Sequence, residues 1–175
     1  MAYIKYKELT KYFNFSRVIE KSKLPKYVKD YVFDKEKILV AYKTKTDHGI
    51  FTTDKIVLFD NYSLFGIKKQ IYAIPYNSIS TCSVIFHLRS AELSLFMDSG
   101  YPVRIKFINM EGIDKLRLRL IYSVILKYIN KQTVTDEELN VLIEDKISFE
   151  NGDKKWVKMK IFLMKRKIRN QPSIE

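Results

Sequence analysis

The chain has 175 residues, 46% of them hydrophobic and 30% charged, with only five Gly and four Pro, which is a globular balance and excludes a disordered or fibrous chain. Its formal charge is +12, from 32 basic and 20 acidic side chains, and its one cysteine, Cys82, excludes an internal disulfide. No signal-peptide pattern is visible over residues 1–11, and the longest charge-free run, residues 71–88, holds Pro, Asn, Ser, Thr and His, so the chain is expected to be cytoplasmic with no transmembrane segment.

The first apolar periodicity is helical and weak. It predicts two short amphipathic helices, residues 6–19 and 24–32, the second opening with Pro25 in its first turn. From Lys37 the period changes to short β-branched and aromatic runs between turn signals, which is the pattern of consecutive antiparallel strands. Seven are predicted, over residues 37–45, 49–53, 55–59, 69–74, 81–87, 92–97 and 103–108. The breaks at Asp47-His48-Gly49, Asp60-Asn61, Pro75-Tyr76-Asn77 and Asp98-Ser99-Gly100 supply residues that accept turn dihedrals or bond their own backbone.

After Gly112 the period is helical again. Ile113, Leu116, Leu120, Ile121, Val124, Ile125 and Tyr128 recur at three- and four-residue spacing, so this helix should pack on the sheet. Leu118, Tyr122 and Ile129 fall away from that stripe and call for a second covering surface. Thr133 or Thr135 would cap a short acidic helix running to Glu144, with Glu137 and Glu138 where the helix dipole favours carboxylates. Residues 132–150 carry −5 and residues 151–175 carry +6. Within the basic end, residues 154–169 place Val157, Ile161, Met164 and Ile168 on one helical stripe and Lys158, Lys165 and Arg169 on another. This divides the chain into a helical lead-in (1–35), a strand-rich domain (36–131) and a C-terminal helical extension, acidic then basic (132–175).

Seven strands followed by one amphipathic helix is the order of a pleckstrin-homology-like barrel, and local residues carry the same likeness. The run from Gly49 through Thr52, Thr53, Lys55 and Phe59 to Asp60 resembles the "G-x-x-x-T-x-x-R-L-x-F" hairpin of bacterial pleckstrin-homology-like domains. Ile74-Pro75-Tyr76-Asn77-Ser78-Ile79-Ser80 is similar to their "IPYxxIxxV" strand, and Leu24-Pro25-Lys26-Tyr27-Val28-Lys29 ahead of Glu36-Lys37-Ile38-Leu39 also looks like that family. The resemblance spans about residues 24–130 and implies an α+β fold, a small seven-stranded antiparallel barrel capped by a C-terminal helix, here with extra helices at both termini. It further implies a domain that binds partners or builds assemblies, with self-association among its habits. The phosphoinositide pattern of the family's eukaryotic relatives wants basic residues on both sides of the first hairpin loop. Here Lys43 and Lys45 precede the loop, whereas Gly49-Ile50-Phe51-Thr52-Thr53 after it offers none.

The chemistry-bearing residues are sparse. His48, His87 and Cys82 have no metal-ligand spacing, and five isolated glycines form no phosphate cradle. Cys82 and His87 would share a strand, but odd spacing aims them at opposite faces. No catalytic residue, metal site or cofactor is therefore expected, and the reading is a non-enzymatic protein-binding or assembly module, an adaptor or accessory protein of the kind phages and prophages encode. Leu118, Tyr122 and Ile129, with Trp156, Phe162 and Met164 of the tail, are the surface expected either to close the fold or to meet a partner. The alternative is an anionic-ligand binder, for nucleic acid or an acidic membrane surface, through Lys43, Lys45, Arg104, Lys158, Lys165, Arg166 and Arg169.

Overall fold

The computed structural model describes residues 12–45, 47–61 and 69–144. The strands are β1 (Tyr12–Phe15), β2 (Arg17–Val18), β3 (Ile38–Lys43), β4 (His48–Thr52), β5 (Lys55–Asn61), β6 (Lys69–Pro75), β7 (Ile79–Phe86), β8 (Ser90–Met97) and β9 (Pro102–Ile108). The helices are α1 (Lys26–Lys29), α2 (Gly112–Ile129) and α3 (Asp136–Ile143), with single 3₁₀ turns at Lys21–Lys23 and Tyr76–Ser78. All seven strands expected from the apolar runs and turn signals are present as β3 to β9, each boundary within two residues of its expected place. They form two sheets in the orders β1-β9-β8-β7 and β2-β3-β4-β5-β6, antiparallel throughout except where β1 runs parallel to β9.

The helix expected over residues 6–19 is replaced, in its described part, by β1 and β2. Phe13 and Phe15 are buried and Asn14 between them is exposed, a period of two in which both rings enter the core. Tyr12 to Phe15 pair with Arg104 to Phe107 across the chain, a long-range ladder that overrides the local helical spacing. At Ser16 the chain passes from one sheet to the other, and the Ser16 amide donates to the Lys43 carbonyl at 3.0 Å. This corner is stitched; the opposite one, between β6 and β7, carries no strand pairing among the described residues, so the barrel is open there.

The inner faces supply the main core: Phe15, Leu39, Tyr42, Phe51, Ile56 and Leu58 meet Leu93, Leu95, Ile105 and Phe107. Phe15 sits against Gly49, so closely that a β-carbon there would lie 2.4 Å from its Cζ. A second, smaller core lies on the outer face of the five-stranded sheet, where Ile19, Leu24 and Val28 cover Ala41, Ile50, Val57 and Phe59. The lead-in is thus a lid on that sheet, and α1 is a single turn with Pro25 at its N-cap rather than inside it.

Helix α2 opens with a reciprocal cap between Glu111 and Asp114, and of the two threonines that could cap α3 it is Thr135 that does so, closed by Glu138. Leu118 is wholly buried, beside Ile121 and Ile125, so it belongs to the packed face and not to a face pointing away. The core that holds it also holds Leu142 of α3, and Lys127 pairs with Glu138 between the two helices. With sheet on one side and α3 among its neighbours, α2 buries a wider stripe than one contact face would need.

Candidate functional site

The open corner is held by side chains rather than by strand pairing. Thr52 Oγ1 donates to the Lys55 carbonyl at 2.9 Å and accepts from the Lys55 amide at 3.0 Å, closing the β4–β5 turn on itself. Tyr76, in the 3₁₀ turn before β7, donates its hydroxyl to the Thr52 carbonyl at 2.8 Å and stacks on Tyr128 with centroids 4.8 Å apart and planes 5° from parallel. Burial pushes the Tyr76 phenol well above its ordinary range, and the nearby Tyr128, Asp54 and Glu36 push the same way. Lys55 and Glu36 form an almost fully buried ion pair at 3.0 Å, with the Phe33 ring 3.6 Å from the ammonium.

Beyond that hub, β7 is the terminal strand of its sheet, with β8 as its only strand partner among the described residues. Its register with β8 puts Thr81, Ser83 and Ile85 on the outer face and Cys82, Val84 and Phe86 inward. The turn after it is well fixed: the His87 amide donates to the Ser90 carbonyl at 2.8 Å, and the Met110 amide to the Arg89 carbonyl at 3.0 Å. Lys115 of α2 donates to the carbonyls of His87 and Leu88, both at 2.7 Å. On this fixed frame Ile85 is 53% exposed and Leu88 89% exposed. Arg119 stands with its guanidinium 5.0 Å from the Phe86 ring, and Phe96 adds a half-open aromatic ring on the same outer face of the sheet. The result is an apolar strand edge with cations beside it.

The sequence-predicted surface residues lie elsewhere. Leu118 is interior, and Tyr122 and Ile129 are half-buried against the same core, with the Tyr122 hydroxyl reaching the Cys82 carbonyl at 3.4 Å. All three belong to the main core or pack against it. Trp156, Phe162 and Met164, and the tail cations Lys158, Lys165, Arg166 and Arg169, lie outside the described residues. The exposed residues that were missed, Ile85 and Leu88, had a sequence signal: an apolar residue on the polar phase of a strand, and one inside a turn.

Among the basic candidates, Lys43 is flanked in register by Arg17 of β2 and His48 of β4, a row of three on one face. Tyr27 touches the row from above, its hydroxyl 3.3 Å from His48 Nδ1. Lys45 is exposed in the turn between β3 and β4, where the Thr44 amide donates to the Asp47 carbonyl at 2.9 Å. Arg104 is in the other sheet, opposite Tyr12 and Ser94, and does not join that row.

Cys82 is buried and His87 exposed at the strand end, so the two face apart, and burial pushes the thiol up to about 11. No group of His, Cys, Asp and Glu among the described residues is arranged to hold a metal ion, and no described helix is long and apolar enough to cross a membrane. A groove of about 200 Å³ runs between Val18–Ser22, Leu39–Ala41 and Ile143. It is smaller than the ~300–1,000 Å³ of small-molecule sites, and Lys21 on its wall donates to the last carbonyls of α3, at Leu142 and Ile143.

Comparison with known proteins bears on this architecture. A family model described as bacterial PH domain matches residues 9–129. A DUF1696 family protein with a pleckstrin-homology domain from Shewanella loihica PV-4 has a similar structure, with a TM-score of 0.53 at 21% identity, covering 67% of this chain and 98% of that one. A PH-domain-containing protein from Exiguobacterium sibiricum 255-15 gives 0.51 at 25% identity, over 67% of this chain and 63% of that one. No curated protein matches.

Proposed function

The chain belongs to the bacterial PH-domain family, and from that premise we propose that it is a non-enzymatic protein-binding or assembly module whose contact surface is the β7 edge and the turn that follows it. The observation that carries this reading is the exposure of Ile85 and Leu88 on a strand and turn whose backbone is otherwise rigidly held. A rigid apolar display loses little conformational entropy on binding, which is what a contact surface needs.

The test has two readouts on the full chain: light scattering across a concentration series, and enrichment of random 12-residue peptides displayed on phage. The reading expects oligomers, enriched peptides or both, lost in the double variant Ile85→Asp, Leu88→Asp. A monomer that enriches nothing, or binding indifferent to both substitutions, overturns it. A second reading has its own observation, the Arg17–Lys43–His48 row. It makes the protein an anionic-ligand binder, for nucleic acid or acidic headgroups, and it fails if binding does not weaken steeply between low and physiological salt.

A further inference from the structure

We propose that the open edge of β7 takes an added strand from a partner protein, an extended acidic segment whose peptide groups pair with those of Val84 and Phe86. This rests on the protein-binding reading and specifies its partner and mode.

The direction of each peptide group along β7 follows from two bonds. The His87 amide points inward, to Ser90 at the start of β8, while the Cys82 carbonyl points outward, to the Tyr122 hydroxyl. Peptide groups alternate in direction along a strand, so residues 83 and 85 bond toward β8 and residues 84 and 86 face the open edge. Tyr122 closes that edge at Cys82, and Lys115 holds the carbonyls of His87 and Leu88 in the turn just past the strand end. What remains is a window of two rungs, Val84 and Phe86, with no strand on that side among the described residues. Val84 and Phe86 are half-buried and Ile85 is exposed, so an added strand finds apolar side chains on both faces.

Charge chooses the occupant. Arg119 is exposed beside Phe86, Lys115 sits at the end of the window, and Arg89 is exposed in the turn. A second copy docked edge to edge about a two-fold axis would set this cation group against its own image, whereas carboxylates on an incoming strand would meet it favourably. Such a partner also matches the +12 charge of the chain.

The probe is a fluorescein-labelled eight-residue peptide alternating glutamate and valine, titrated with the full chain at low and physiological salt and followed by anisotropy. Two further peptides carry N-methyl groups on alternate amides, one in each phase, and a fourth replaces glutamate by lysine. The expected result is saturable binding that weakens with salt. One methylated phase should bind at least tenfold more weakly while the other is retained, and the lysine peptide should bind at least tenfold more weakly. Val84→Pro removes an outward N–H without touching the β8 ladder and should also lose tenfold or more. Circular dichroism checks that this variant is folded, and if it is not, the methylated pair makes the same deletion from the partner's side. No binding of the acidic peptide, equal binding of both methylated phases, or equal binding of the lysine peptide overturns the inference. If the displayed library or the oligomer still depends on Ile85 and Leu88 in that case, the protein-binding reading stands and only this mode falls; if nothing binds and the chain is a monomer, both fall.

Discussion

Phe15 occupies the space that a side chain at Gly49 would need, its Cζ and Cε2 lying 2.4 Å and 2.7 Å from an added β-carbon. The ring cannot swing away, because it is 1% exposed and packed between Tyr42 and Phe107 at centroid distances of 6.1 Å and 6.0 Å. The glycine that opens the family-like hairpin is thereby explained by a residue from β1, outside that hairpin. Gly49→Ala should therefore cost about 1–3 kcal/mol, as overpacked cores do. Thermal unfolding checks it: at ~2–4 °C per kcal/mol for a chain of this size, an unchanged midpoint would contradict the close approach.

The ion pair of Lys55 and Glu36 is nearly solvent-free, with side chains 9% and 3% exposed. Glu36 also accepts the Phe33 amide at 2.9 Å, so it ties the lead-in to the β4–β5 hairpin. Removing one partner leaves the other charge buried, so Glu36→Ala is expected to cost about 3–5 kcal/mol. The double variant Glu36→Leu, Lys55→Met should be the more stable of the two, since it leaves no orphaned charge. Urea midpoints of the two variants decide this, and a double variant as weak as the single one would show that the charges themselves are needed.

Strands β3 to β9 were legible because each is a short β-branched or aromatic run bounded by turn residues within its own few positions, with clear alternation in β8 and β9. The missing information was non-local. Phe13 and Phe15 become a strand only because β9 lies beside them, and nothing within residues 6–19 announces that partner. Gly49 and Thr52 were visible as family-like positions, yet their reasons, Phe15 over the first and Tyr76 on the carbonyl of the second, are both tertiary. The candidate site shows the same division: Lys43 was visible, but its neighbour Arg17 was hidden inside the expected helix. Ile85 and Leu88 carried their own signals, the polar phase of a strand and a turn, but that the strand displaying them is the last of its sheet is a property of topology.

Leu118 tests the reassigned face of α2. Fully buried against Ile121 and Ile125, it should respond to truncation as a core residue, with Leu118→Ala costing about 2–5 kcal/mol. Light scattering on the same variant should show no change in mass apart from any caused by unfolding. A Leu118→Ala protein of unchanged stability but altered oligomeric mass would return this residue to an intermolecular surface.

Alkaline pH probes the hub at the open corner. Tyr76 is raised well above 10.0, first by burial and then by Tyr128, Asp54 and Glu36, while Tyr128 is raised as well, by burial and Asp54. Cys82 is raised from 9.0 to about 11 by burial, against a smaller opposing effect of the Tyr122 hydrogen bond. In the unfolded chain these groups ionise at their ordinary values; in the folded one they keep their protons longer. Above those ordinary values the unfolded state therefore sheds protons that the folded state retains, and stability must fall as pH rises. The contribution is complete below pH 9, the thiol's share is lost between 9 and about 11, and the phenols' share is lost from 10 upward. Melting temperatures measured from pH 7 to pH 11 should be level at first and then decline. Tyr76→Phe should lower the whole curve, by about 1 kcal/mol for the lost bond to the Thr52 carbonyl, and flatten its alkaline limb. Cys82→Ala should flatten the earlier part between pH 9 and 10. A wild-type curve level to pH 11 would mean that none of the three groups is held protonated by burial.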